Sequence, residues 1–126
     1  MRILVLGASG MLGNAMIRVL SEKADWEVYG TVRAEGAKRH FQGDITRRLL
    51  ADVDVEQHDS LVQAFARVRP NVVINCVGLV KQLAGSDDPL QVIPINTLLP
   101  HRLSRLCDLA GARLVHMSTD CVFSGD

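Results

Sequence analysis

Apolar positions along this chain follow two alternating patterns. Short continuous apolar runs at residues 2–6, 26–32, near 50–54, 72–76 and 112–118 read as strands. Between them apolar residues recur at helical spacing, as Met11, Leu12, Ala15, Met16, Val19 and Leu20 do over 11–23. Further helices are predicted at about 58–68 and 88–110. Val72, Val73 and Ile74 are apolar without a break, as a strand buried on both faces requires. Strands separated by helical segments predict an α/β fold, a doubly wound parallel sheet in a three-layer α/β/α arrangement. Right-handed crossovers leave 3-2-1-4-5 as the expected strand order. Asp59-Ser60 is a candidate cap for a helix over 61–68, and Pro70-Asn71 stops that helix. Asp88-Pro89 reads as a cap followed by proline at the first helical position, Pro94 and Pro100 should bend the helix that follows or delay its start, and Gly111 ends it. Residues 33–48 have no clear period, contain Gly36, Gly43 and five basic side chains, and are expected to form a mobile loop.

A length of 126 residues predicts one domain with a single core, spanning 1–126. The 14 basic and 14 acidic residues cancel, so charge offers no reason to expect nucleic acid or an anionic membrane as partner. No apolar run approaches the ~18–20 residues that span a bilayer. Arg2 precedes only a short apolar strand ending in glycines, so no secretory signal is expected. Cys76, Cys107 and Cys121 are odd in number, widely spaced and without a C-x-x-C, and read as reduced, buried thiols of a cytoplasmic protein. His40, His58, His101 and His116 have no metal-ligand spacing, and no metal site is expected.

Candidate chemistry gathers where strands end, because ligands of such sheets bind outside the strand carboxyl ends. The first strand runs into Gly7, Gly10 and Gly13, spaced G-x-x-G-x-x-G rather than G-x-G-x-x-G. A strand turning through glycines into a helix holds phosphate well. The helix start has free N–H groups and a positive dipole end, and glycine lets a pyrophosphate approach the backbone. A tight turn with no ligand is the plain alternative. The second strand decides the cofactor. An acidic residue about 20 positions after the glycines holds the ribose 2′-OH of NAD, whereas arginine suits the 2′-phosphate of NADP. This chain has Arg33 there, and no Asp or Glu from Val28 to Val32. Lys38 and Arg39 are weaker candidates for the same phosphate. The alternative for Arg33 is a solvated surface side chain.

Four strings, G-A-S-G-M-L-G, D-V-D-V, P-N-V-V-I-N-C-V-G and V-H-M-S-T-D-C-V-F-S-G, together resemble the amino-terminal half of the extended short-chain dehydrogenase/reductases. The S-T-D-x-V-F-x-G string is most similar to the dTDP-4-dehydrorhamnose reductase branch, and the resemblance runs the whole chain. It implies a Rossmann-type fold and a nicotinamide cofactor, NADP by preference or NAD. Gly7, Gly10 and Gly13 would form the pyrophosphate turn, lined by Ser9, Met11 and Leu12. Asp54 and Val55 would sit beside the adenine, and Asn75, Cys76, Val77 and Gly78 would pass the nicotinamide ribose. Asn96 would order the active site from the next helix, with helix capping as its alternative. Thr119 falls at the catalytic Ser/Thr, whose hydroxyl donates a hydrogen bond to the substrate carbonyl as hydride arrives. Asp120 matches the motif, and capping of the turn after the strand explains it equally well.

The family's Tyr-x-x-x-Lys pair, which delivers the proton, does not occur: the sole tyrosine is Tyr29, with Arg33 four positions on. In the family that pair lies beyond the S-T-D segment. The chain is therefore expected to be the cofactor-binding half of a longer enzyme, cut after the fifth strand and inactive alone. The parent is expected to reduce a keto group of a nucleotide-linked deoxysugar. The rival expectation is a non-catalytic regulatory protein, since the regulatory subunit of methionine adenosyltransferase resembles the same reductases. A Tyr-x-x-x-Lys some 20–30 residues after Asp126 would discriminate the two. Lys81 and Gln82, in the loop Leu79–Asp87, are the polar candidates for substrate contact, with a solvated loop as the better alternative. The sugar stays unnamed. Oligomeric state stays open, a homodimer among the options, since a sheet without a sixth strand exposes apolar surface.

Overall fold

A computed structural model describes residues 1–77, apart from Ser9, Ala24, Ala34, Glu35, Ala37, Arg39, His40 and Gln42, and residues 99–117. The described elements are β1 (Arg2–Leu6), α1 (Met11–Leu20), β2 (Glu27–Thr31), α2 (Asp44–Arg47), β3 (Leu49–Leu50), α3 (His58–Val68), β4 (Val72–Asn75), α4 (Leu99–Ala110) and β5 (Arg113–His116). The strands form one parallel sheet in the expected order β3-β2-β1-β4-β5.

Alternation along β1 and β4 sorts the core onto two faces. Ile3, Val5 and Ile74 face Ile17 of α1, with Val28, Val32, Phe41 and Leu49. Leu4, Leu6 and Val73 face Leu61, Phe65 and Val68 of α3 and Leu103, Leu106 and Cys107 of α4. The continuous apolar run of β4 thus serves both layers. Cys76 and Cys107 are buried free thiols, and Cys121 lies outside the described residues.

Several boundaries differ from the sequence pattern. Helix α1 stops at Leu20, and residues 21–23 continue as turns, with Glu22 N–H donating to Val19 O and Lys23 N–H to Leu20 O. The third strand is only Leu49–Leu50, not 50–54. Asp52 takes φ 60°, which breaks the extended run, and Val53 N–H returns to Val32 O at 3.2 Å. Helix α3 starts at His58, as its periodicity predicts, so the expected cap Asp59-Ser60 lies inside its first turn. Its N-cap is Gln57, with no side-chain cap bond, and Asp59 sits in the first turn. Ser60 Oγ instead accepts the Asp54 N–H at 3.0 Å. The stretch read as loop over 33–48 contains the single turn α2, whose Ile45 packs on the α1-side core. One turn is too short for periodicity to reveal. Pro100 is the second residue of α4, where an absent N–H breaks no bond of the first turn. Asp88-Pro89 and Pro94 lie outside the described residues.

Candidate functional site

Parallel strands leave their carboxyl ends along one edge, so the segments after β1, β2, β3 and β4 meet there. The chain leaves β1 for α1 on one face and returns to β4 from α3 on the other. The crevice between β1 and β4 is the switch point of the sheet.

Gly7 begins the turn after β1 with φ 79°, a left-handed conformation that a β-carbon disfavours. Its N–H donates to Thr31 Oγ1 at 3.2 Å, and Ala8 N–H donates to the Thr31 carbonyl at 2.9 Å. The buried end of β2 therefore holds the turn. Gly10 N–H donates to the Gly7 carbonyl at 3.1 Å and caps α1. Among the described residues no side chain caps α1 and no acid stands in its first turn, so the helix start presents main-chain donors and a positive dipole end. At Gly13 an added Cβ would overlap the Gly7 carbonyl oxygen and stand 2.8 Å from the Gly7 carbonyl carbon. At Gly7 it would meet Val77 Cγ2 at 2.9 Å. The helix start thus packs main chain to main chain on the turn at Gly13, while the Val77 side chain from the segment after β4 packs over Gly7. A cradle of that kind fits a pyrophosphate.

Arg33 stands just past β2 with its side chain 75% exposed. Its Nη2 lies 4.0 Å from Asp54 Oδ2 and 3.9 Å from Glu56 Oε2. The arginine expected to meet a 2′-phosphate therefore already has two carboxylates beside it. Those acids sit in an ordered turn. Asp54 Oδ1 accepts the Glu56 N–H at 3.0 Å, the Asp54 carbonyl accepts the Gln57 N–H at 2.9 Å, and Arg102 Nη1 donates to the Glu56 carbonyl at 3.3 Å.

Asn75 closes β4 and is 5% exposed. Its Oδ1 accepts the Val77 N–H at 3.0 Å, and its Nδ2 lies 3.2 Å from His116 Nδ1. Both ends of the amide are thus engaged within the protein. Cys76 N–H donates to the Leu6 carbonyl at 3.1 Å. Burial pushes the Cys76 thiol up to about 11, so it stays neutral near pH 7 and is a poor nucleophile. Cys107 is likewise pushed up to about 11, by burial and then by the neighbouring Asp108 charge.

The structure thus brings Gly7, Gly10, Gly13, Cys76 and Val77 to one crevice and Arg33 to Asp54. Leu12 is half-buried against the α1-side core and Val55 against the α3-side core. Ser9, Arg39, Gly78, Lys81, Gln82, Asn96, Thr119 and Asp120 lie outside the described residues, as does the side chain of Met11. Sequence reasoning gave no role to Thr31, Glu56 or His116. Each acts through a partner distant in the chain, and a polar residue at a strand end was the one local signal.

The sheet order and its glycine turn define a Rossmann-type α/β domain. The chain belongs to the RmlD substrate-binding domain family, whose profile matches residues 1–126. It is 30% identical over 124 residues to the dTDP-4-dehydrorhamnose reductase of Streptomyces griseus, an alignment covering 98% of this chain and 35% of that protein. It is 28% identical over 124 residues to methionine adenosyltransferase 2 subunit beta of Xenopus laevis, covering 98% of this chain and 34% of that one. The chain spans about a third of the length of these curated relatives. Among solved structures, the Bordetella bronchiseptica enzyme WbmG in complex with NAD superposes with a TM-score of 0.75 at 22% identity, over 92% of this chain and 36% of that one. Among the described residues no helix is long and apolar enough to cross a membrane.

Proposed function

We propose that residues 1–126 form the NAD(P)-binding domain of a reductase acting on a keto group of a nucleotide-linked deoxysugar. The observation that carries this reading is the main-chain cradle: Gly7 at φ 79°, Gly13 against the Gly7 carbonyl, and a helix start without a side-chain cap. In the proposal the N–H groups of the first turn of α1 bind the pyrophosphate. Asp54 and Val55 border the adenine, and Cys76, Val77 and Gly78 flank the nicotinamide ribose. Ser9, Met11 and Leu12 line the turn, and Asn96 orders the site. Thr119 donates a hydrogen bond to the substrate carbonyl oxygen, where negative charge develops. When bound, the nicotinamide supplies the hydride. Tyr29 is not the proton donor in this reading: it lies in β2, packed against the α3-side core with the Arg48 guanidinium 5.9 Å from its ring centroid. A tyrosine and lysine elsewhere in the parent would supply the proton. NADP is preferred because Arg33, just past β2, is the residue type that suits a 2′-phosphate, with NAD as the alternative. Reduced Cys76 and Cys107 fit a cytoplasmic setting.

The likeness to methionine adenosyltransferase 2 subunit beta favours a second reading, a dinucleotide-binding regulatory subunit that catalyses nothing. Turnover of a 4-keto sugar nucleotide by the parent separates the two.

Gly10→Ala tests the cradle. Gly10 has ordinary φ −73°, and among the described residues an added Cβ would find only the Gly7 carbonyl oxygen, at 3.5 Å, within 4 Å. The methyl then occupies the proposed ligand space without a clash among the described residues. Calorimetric titration of this chain should give an NADP or NAD affinity at least tenfold lower than wild type, or ~1.4 kcal/mol. Equal affinity in a folded Gly10→Ala protein would remove the turn from the binding site.

A further inference from the structure

We infer that His116 is a positioning residue for the dinucleotide site, holding the wall behind Gly7 through a lone pair on Nδ1; this rests on the reading of the turn as a dinucleotide cradle. The register of the parallel pair β4–β5 sets Asn75 beside His116. Asn75 is a buried carboxamide with one acceptor oxygen and one donor NH2 group. Its Oδ1 takes the Val77 N–H at 3.0 Å, and that bond decides which way the amide is turned. The NH2 group therefore faces His116 Nδ1 at 3.2 Å and can only donate to it. The ring must accept at Nδ1, so a neutral imidazole carries its proton on Nε2.

The next contact leads to the cradle. Val77, turned inward by Asn75, packs over Gly7: a Cβ on Gly7 would meet Val77 Cγ2 at 2.9 Å and the Val77 nitrogen at 3.4 Å. The line of contact runs from His116 to Asn75, to Val77, to the glycine that opens the phosphate turn. An apolar side chain at 116 leaves the Asn75 NH2 group without this acceptor. The amide then keeps only its bond to the Val77 N–H, the restraint on Val77 weakens, and the crevice wall shifts relative to the turn. His116 touches no ligand in this scheme; it sets the place of residues that do.

The test joins a spectroscopic readout with binding. Nitrogen-15 NMR of the histidine rings in the free chain should show His116 as the Nε2–H tautomer. In Asn75→Asp the second carboxylate oxygen replaces the donor, and the ring proton should move to Nδ1. NADP and NAD titrations should show His116→Leu weakened about tenfold. His116→Gln, whose Oε1 accepts from Asn75, should stay within about threefold of wild type. An Nδ1–H tautomer in wild type, no tautomer change in Asn75→Asp, or unchanged binding by His116→Leu would each overturn the inference. If His116→Leu does not fold, the tautomer pair and the His116→Gln titration still decide it. Failure of wild type to bind either nucleotide would overturn the cradle reading itself. That failure is told apart from a missing clamp because the tautomer is read without ligand.

Discussion

Replacing Gly13 by alanine adds one methyl group where α1 meets the turn after β1. The Cβ would overlap the Gly7 carbonyl oxygen, with the Gly7 carbonyl carbon at 2.8 Å and the Ala8 Cα at 3.0 Å. All three are main-chain atoms, so no rotamer change relieves the contact. Carbon pairs rest at about 3.5–4.0 Å, so the helix start must retreat from the turn by roughly 1 Å. That retreat strains the Ala8–Thr31 and Gly10–Gly7 hydrogen bonds, at 2.9 and 3.1 Å, and pulls Ile17 from the core. Overpacking of this kind costs ~1–3 kcal/mol, and the upper end applies where backbone meets backbone. For a chain of 126 residues, ~3 kcal/mol lowers the melting temperature by on the order of 10 °C. Gly10→Ala is the internal control. Among the described residues its Cβ meets nothing closer than 3.5 Å, and loss of a favoured glycine cap costs only ~1 kcal/mol or less. Thermal unfolding followed by circular dichroism should rank wild type, Gly10→Ala, then Gly13→Ala, with a wide gap before the last. A Gly13→Ala midpoint equal to that of Gly10→Ala would show that the contact is absent in solution.

Two further outcomes follow from charge. Glu56→Gln removes one of the carboxylates beside Arg33, and an exposed pair of this kind is worth ~0.2–1 kcal/mol, so the NADP-to-NAD affinity ratio should rise up to about fivefold at low salt and less at high salt. An unchanged ratio would mean that Arg33 does not reach the 2′-phosphate. The thiols of Cys76 and Cys107 titrate at about 11 in the folded chain against 9.0 for the free group, so folding favours the neutral thiol. That stability is fully present below about pH 9 and is lost as pH climbs toward about 11, on the order of 1–2 kcal/mol per thiol. Urea unfolding at rising alkaline pH should show the decline, and Cys76→Ala should make it shallower; a stability curve flat from about pH 8 to 10.5 contradicts the burial argument.

Periodicity along the chain determined the architecture. Apolar runs alternating with helical spacing place five strands in one parallel sheet, and handedness leaves the order β3-β2-β1-β4-β5. The glycines at 7, 10 and 13 were legible as a tight strand-to-helix turn because their spacing is local and its meaning is steric. Helix α3 was placed at 58–68 by the same means, although its cap was not. Tertiary structure decided what pairs with what. Arg33 reads as a free cation until β3 ends at Leu50 and the chain brings Asp54 and Glu56 beside it. Gly30 has no role that its neighbours in sequence reveal; in the fold Ile17 and Ala8 occupy the space of its missing Cβ. His116 carries no local signal beyond being a polar residue at a strand end; its partner Asn75 is 41 residues away and meets it only through strand register. Secondary structure follows from neighbours within a few residues, which a sequence displays directly. Hydrogen bonds across a sheet depend on which strands become adjacent and in what register, and that is settled only when both faces of the sheet pack.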